Sequence, residues 1–122
     1  NMTYHAYKVI HLTSLFMILI PLGGMAVHAI NGGGRKHKFR WPLAVTHGIG
    51  MLGAIGSGFG LLARLEITSP LPGWAIAKMG IWLALGLVVS PLMRKPSWAK
   101  SLWYAIIILA ACAAYLANFK PF

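Results

Sequence analysis

Four ionisable side chains in otherwise apolar stretches could hold a cofactor: His11, His28, His47 and Lys78. An ionisable group inside a membrane-spanning segment is costly, which makes each of them a candidate functional residue. Because a neutral imidazole is a good ligand for haem iron, the chemistry that they suggest is binding of b-type haem. His11 and His47 are the candidate iron ligands.

His11 and Lys78 form the first candidate pair. His11 lies one to two turns inside the first apolar run, and Lys78 lies about one turn inside the third. Both runs begin on the same side of a bundle with short connections, so the two side chains are expected at comparable depth. Alternatively, Lys78 extends its ammonium group to the nearby membrane surface, as lysines at this depth readily do.

His28 and His47 form the second candidate pair. Counting from the connection between the first two runs at about 1.5 Å per residue gives both a shallow and similar depth. Two imidazoles at one level could ligate a single haem iron. They could equally donate hydrogen bonds to carbonyl groups near the membrane surface, and the sequence leaves both interpretations open.

The segment 46–60, THGIGMLGAIGSGFG, places six glycines after His47. Small residues recur four positions apart in three series: Gly50, Ala54 and Gly58; Gly56 and Gly60; and Gly53 and Ser57. Such stripes allow helices to pack closely in lipid, where association depends on van der Waals contact. Glycine also lets a planar cofactor approach the backbone, so a flat cofactor groove is the second interpretation.

The elements that must position these residues are four apolar runs, at about 7–30, 41–64, 74–93 and 98–118. Each is long enough to cross a bilayer, which takes about 20 residues. Short connections make neighbours antiparallel, so the sequence predicts an all-α, integral membrane, up-down four-helix bundle in a single transmembrane domain, 1–122. Cytoplasmic connections are rich in Lys and Arg, and seven such residues fall on one side. Both termini are therefore expected on the non-cytoplasmic side. The partner that the sequence predicts most directly is the lipid bilayer.

The composition excludes several classes of function. A net charge of +10 could suggest nucleic-acid binding, but the basic residues lie in short connections between apolar runs, as in a membrane protein. The single cysteine, Cys112, excludes an internal disulfide. No phosphate-binding loop and no catalytic Ser-His-Asp pattern is present. If the protein is an enzyme, a cofactor must carry the reaction.

Two short motifs carry a family resemblance. The first is K-x-x-H, from Lys8 to His11, and the second is W-x-x-x-K followed by seven apolar residues, from Trp74 through Lys78. The chain thereby resembles the small haem-associated membrane proteins around the HemJ-type protoporphyrinogen oxidases, with CopD-like and SirB-like relatives. In the HemJ-type family, a histidine on an early helix and a lysine on a later one are linked to b-type haem binding and activity. The resemblance implies those roles for His11 and Lys78.

Two functions follow as hypotheses. The first is an inner-membrane protein of a bacterium that binds b-type haem for electron transfer or porphyrin oxidation. The second is a non-catalytic accessory or assembly subunit, which forms a homo-oligomer or joins a larger membrane complex through its glycine-rich second helix. A transporter is disfavoured because the only acid, Glu66, lies in a connection and leaves no carboxylate relay inside a span.

Overall fold

The computed structural model describes residues 3–33, 37–67 and 70–120, and the regular structure in these ranges is helical. The helices are α1 (Tyr4–Ile30), α2 (Arg40–Arg64), α3 (Gly73–Leu87), α4 (Val89–Arg94) and α5 (Ala99–Phe119), with a 3₁₀ turn at Pro96–Trp98 before α5. Four segments are long and apolar enough to cross a membrane: α1, α2, α3 joined to α4, and the 3₁₀ turn joined to α5. The predicted all-helical class is confirmed, and the predicted spans end within three residues of these bounds.

The third segment is divided at Val88, between α3 and α4. Pro91 explains the division, because it has no N–H for the Leu87 carbonyl four residues earlier and its ring crowds that carbonyl. The backbone turns only slightly out of helical geometry at Val88, whose φ and ψ are −66° and −18°. Leu92 on the far side of the break is 2% exposed, so both parts of the segment contribute to the core.

One face of α1 is formed by residues spaced alternately four and three positions apart: Tyr7, His11, Ser14 and Ile18. This spacing keeps side chains on a single stripe of a helix that crosses its neighbour at a small angle. The stripe packs along α2, and α1 with α2 is the most extensive helix pair of the described structure.

Glycines of α2 make this contact close. A Cβ atom on Gly50 would lie 2.8 Å from the Ser14 carbonyl oxygen and 2.9 Å from the Ile18 nitrogen, so the two backbones nearly touch. Gly53 faces the Ser14 side chain, and Gly60 lies against the ring of Tyr7. Close helix packing therefore accounts for these three glycines.

Other glycines of α2 are not used in this way. A Cβ atom on Gly48 or Gly56 would meet no heavy atom within 4 Å, so both positions open outward. The stripe of Gly56 and Gly60 inferred from the sequence is thus divided, since Gly60 packs against α1 and Gly56 does not. The reason is that four residues span about 40° more than one full turn of helix. Each successive residue of such a stripe is therefore displaced around the helix axis, and Gly60 faces a different direction from Gly56.

The bundle has apolar side chains both in its core and on its outer surface. Its core includes Ile18, Leu22 and Leu92, and Ala26 and Ala99 are fully buried where helices meet. Large apolar side chains cover the outer surface, with Leu52 73% exposed and Ile20 72% exposed. This distribution is that of a helix bundle whose solvent is itself apolar, which agrees with a multi-pass membrane protein.

The contact at Gly50 gives a stability prediction. Gly50→Ala should lower the free energy of unfolding in detergent by about 2 kcal/mol, because its methyl group would press on the backbone of α1. Gly56→Ala is the matched control on the same helix, and it should leave stability unchanged or raise it by up to about 1 kcal/mol through helix propensity. Thermal unfolding followed by circular dichroism would measure both. Equal effects of the two substitutions would contradict the assignment of Gly50 to the helix contact.

Candidate functional site

A hydrogen bond joins His11 of α1 to Ser57 of α2, with 2.9 Å between Nδ1 and Oγ. The Ser57 hydroxyl has one proton, and it donates this proton to the Gly53 carbonyl at 2.6 Å. With the Ser57 proton directed at the Gly53 carbonyl, the Ser57 oxygen accepts from His11, and Nδ1 carries the hydrogen. In the neutral imidazole this assignment leaves Nε2 unprotonated.

This arrangement is the one that a metal-binding histidine uses. A ligating imidazole donates its second ring N–H to an oxygen of the protein, and that bond fixes the tautomer and the ring orientation. His11 meets this condition through Ser57, which is 4% exposed and is held in turn by its own helix. His11 is half-buried, and Gly58 lies beside the ring, where an added Cβ would be 3.5 Å from Cε1.

Lys78 lies at the same end of the bundle as His11. We call this the His11 end, the end at which α1 begins and α2 ends. Lys78 is half-buried, and its charge acts on His11. The positive charge of Lys120 in turn interacts with that of Lys78. The Lys120 Nζ donates to the Ala117 carbonyl at 2.7 Å and lies 5.3 Å from the centre of the Trp74 ring. The structure thus places Lys78 near enough to His11 for its charge to influence the imidazole.

His47 has a different environment. It is 7% exposed, and its Nε2 donates to the Leu85 carbonyl of α3 at 3.2 Å. Trp82 makes a parallel bond from α3 to α2, from Nε1 to the Met51 carbonyl at 2.9 Å. These two bonds join helices that otherwise have few close contacts. The geometry of His47 is that of a structural residue between α2 and α3.

The structure does not bring His11 and His47 together. Ser57, the partner of His11, is ten residues from His47 along α2, which corresponds to about 15 Å. An imidazole nitrogen lies about 2 Å from a bound metal, so two nitrogens on one ion are at most about 4 Å apart. One iron atom therefore cannot be bound by both histidines in this arrangement.

The second pair inferred from the sequence is also separated. Gly24 of α1 packs against Leu43 of α2, which places His28 level with the first residues of α2. His47 lies about 10 Å further along that helix, so the equal depth expected for His28 and His47 is not found. His28 instead contacts His37, with 4.2 Å between ring centres and 42° between ring planes.

The described residues contain no group of three or more His, Cys, Asp or Glu that could hold a metal ion. A metal held by side chains alone would need such a group. Haem needs less from the protein, since the porphyrin supplies four nitrogens and one axial imidazole is enough to hold the iron.

Two residues of these clusters are not among the sequence-based candidates. Ser57 appears in the sequence only as one small residue of a stripe, and His37 appears only as part of a basic connection. The signal for Ser57 is its position, because it is a hydroxyl residue on the same face of α2 as Gly50 and Gly53. The chain carries no comparable signal for His37, because its contact with His28 depends on how the connection folds.

Comparison with known proteins finds no matching family model, no matching curated protein and no similar solved structure. The resemblance to the HemJ-type proteins therefore depends on the two short motifs around His11 and Lys78.

The hydrogen bonds predict opposite tautomers for two histidines of one protein. His11 should carry its proton on Nδ1, because Ser57 accepts there, and His47 should carry it on Nε2, because the Leu85 carbonyl accepts there. Nitrogen-15 NMR of histidine-labelled protein would distinguish them, with His11→Gln and His47→Gln variants assigning the signals. The same tautomer at both residues would contradict this description.

Proposed function

We propose that this protein is a multi-pass protein of the bacterial inner membrane that binds b-type haem through His11. Its role would be electron transfer or porphyrin oxidation. The observation that carries the proposal is the hydrogen-bond chain from His11 through Ser57 to the Gly53 carbonyl, because an imidazole that donates from Nδ1 keeps on Nε2 the lone pair that an iron atom needs.

The chain's contribution to such a site is limited and specific. His11 would bind the iron, Ser57 would hold the orientation of the His11 imidazole, and the surrounding helices would lower the local dielectric. When bound, haem supplies the one-electron chemistry that these side chains lack. His47 is not proposed as a ligand, since its Nε2 already donates to Leu85.

In the same proposal, Lys78 would pair its positive charge with the acidic propionate groups of the cofactor. Its charge reaches His11, and Lys120 adds a second positive charge nearby. The basic connection before Arg40 is the other source of positive charge expected from the sequence. Arg40 is 17 residues from Ser57 along α2, about 25 Å away, so it serves a separate region.

The membrane placement is supported by charge as well as by the apolar surface. One end of the bundle, at which α1 ends and α2 begins, carries five described cations: Lys38, Arg40, Arg94, Lys95 and Lys100. We call it the basic end. Arg35 and Lys36 belong to the same connection in the sequence and lie outside the described residues. The His11 end has Lys8, Arg64, Lys120 and the half-buried Lys78. This excess favours a cytoplasmic basic end with both termini on the opposite side.

The second candidate function is an accessory subunit that packs against other membrane proteins or further copies of itself. The outward-facing Gly48 and Gly56 favour it, because they leave shallow depressions on either side of the exposed Leu52. The glycines that approach a neighbour most closely are used within the chain, at the contact with α1. We therefore place haem binding first and the accessory subunit second.

The orientation predicts which end reacts with a thiol reagent that cannot cross membranes. In a Cys112→Ser background, His5→Cys should be labelled in intact cells, because it is exposed at the His11 end. Ser97→Cys, exposed at the basic end, should be labelled only after the cells are permeabilised. The reverse pattern would show that the orientation is wrong.

The haem proposal predicts a Soret band and a reduced α band from protein purified in mild detergent, recorded before and after dithionite. His11→Ala should lose the bands, because the axial ligand is removed. Ser57→Ala should weaken haem affinity by about tenfold or more, since it removes the group that orients the ligand.

His5→Ala is the matched control, an exposed histidine on the same helix six residues from His11. It should keep the wild-type spectrum, and His47→Ala should keep the bands while lowering stability. Circular dichroism would establish that each variant is folded. A spectrum without haem bands, even after supply of haem precursor and reconstitution with haemin, would exclude haem and favour the accessory subunit.

A further inference from the structure

A cluster of nitrogen donors surrounds a small cavity at the basic end. The cavity has a volume of about 30 Å³ and lies between His28, His37 and Arg40, with Met25 and Met93 among its apolar walls. This volume holds one water-sized group. A guanidinium and two imidazoles are therefore among the groups that line the cavity, and each of these side chains can act as an N–H donor.

Gly32 and Gly33, directly after α1, lie next to this cluster. Gly32 has a φ of +82°, which turns the chain back after the helix, and the Gly33 amide donates to the His28 carbonyl at 2.8 Å. Gly33 then lies so close to the His28 ring that a side chain at this position would overlap the imidazole. The turn favours glycine at position 32 because of its positive φ, and glycine at position 33 leaves room for the His28 imidazole.

The charge of the cluster decides which kind of ligand it fits. The whole sequence has one acidic side chain, Glu66, which follows α2 at the opposite end of the bundle. That position is 26 residues from Arg40, roughly 39 Å along the helix, far beyond the screening length in physiological salt. No acidic side chain of this protein can neutralise the cluster, and a metal cation would add to its positive charge.

We infer that the cavity binds a phosphate group, with one phosphate oxygen entering between His28, His37 and Arg40. A planar guanidinium pairs with two phosphate oxygens, and imidazole N–H groups can donate to the oxygen in the cavity. The phosphate comes either from the head group of an anionic phospholipid or from free phosphate in solution. The site is about 25 Å from His11 and is independent of the haem proposal.

The test uses the full chain and two sources of phosphate. In neutral detergent, inorganic phosphate is compared with chloride at equal ionic strength. In nanodiscs, phosphatidylcholine alone is compared with phosphatidylcholine containing phosphatidylglycerol. Thermal unfolding is one measurement, and the nitrogen-15 signals of His28 and His37 are a second that reports on the site itself. We expect at least one source to raise the melting temperature by about 3 °C or more at saturation and to shift both histidine signals.

Variants separate a defined site from general surface charge. Arg40→Gln and His37→Gln should each weaken the effect by about tenfold or more in phosphate concentration, because each removes a charge-assisted or direct donor. Lys38→Gln makes the same change of charge as Arg40→Gln in the same connection, but Lys38 does not line the cavity. It should respond like the wild type.

Each outcome has a defined meaning. An effect of inorganic phosphate in detergent identifies free phosphate as a ligand, and an effect confined to phosphatidylglycerol identifies the lipid head group. The inference is overturned if neither source acts, or if Lys38→Gln loses the effect as fully as Arg40→Gln does. If the wild-type protein shows no haem bands, the haem proposal fails and the phosphate inference is unaffected.

Discussion

The contact between the backbones of α1 and α2 at Gly50 sets the geometry on which the rest of the structure depends. Helices in an apolar solvent gain little from burying apolar side chains, so their association needs close and complementary surfaces. Gly50 permits this contact, and it fixes the register in which Ser14 and Ile18 lie against α2. A shift by one turn would place His11 near Gly53 instead of Ser57. The contact at Gly50, seven residues from Ser57, thus determines which group the His11 imidazole meets.

Polar groups inside the bundle follow one rule, which is that main-chain carbonyls accept their protons. Ser57 donates to Gly53, His47 donates to Leu85, and Trp82 donates to Met51. A buried polar group without a partner is costly in a low dielectric, and among the described residues every fully buried side-chain nitrogen and oxygen has one. Carbonyls cannot donate, so each such bond fixes which atom carries the hydrogen. The His11 imidazole also meets a hydroxyl, that of Ser57, so the direction of the Ser57 proton bears on which ring nitrogen carries the hydrogen.

The sequence predicts these features to different extents. The four apolar segments follow from hydropathy alone, and the shared level of His11 and Lys78 follows from counting residues along antiparallel helices. The partner of His47 could not be predicted, because every helical residue offers a carbonyl and only the packing selects Leu85. The contact of His28 with His37 depends on the turn at Gly32, which a depth count along the spans ignores. For the same reason, small-residue stripes indicate that α2 packs closely but do not show that Gly50 faces α1 while Gly56 faces outward.

Both ends of the molecule carry an excess of positive charge. A chain with eleven cations and one acid cannot neutralise itself by internal ion pairs, and the single acid is at the His11 end. Exposed cations can be solvated by water, but half-buried Lys78 and the donors around the cavity at Arg40 are partly removed from it. Binding of an anion at either place would therefore lower the free energy of the folded state. An acidic cofactor at the His11 end and a phosphate group at the basic end would each meet that requirement, and the roughly 25 Å between the ends means that neither anion can serve for the other.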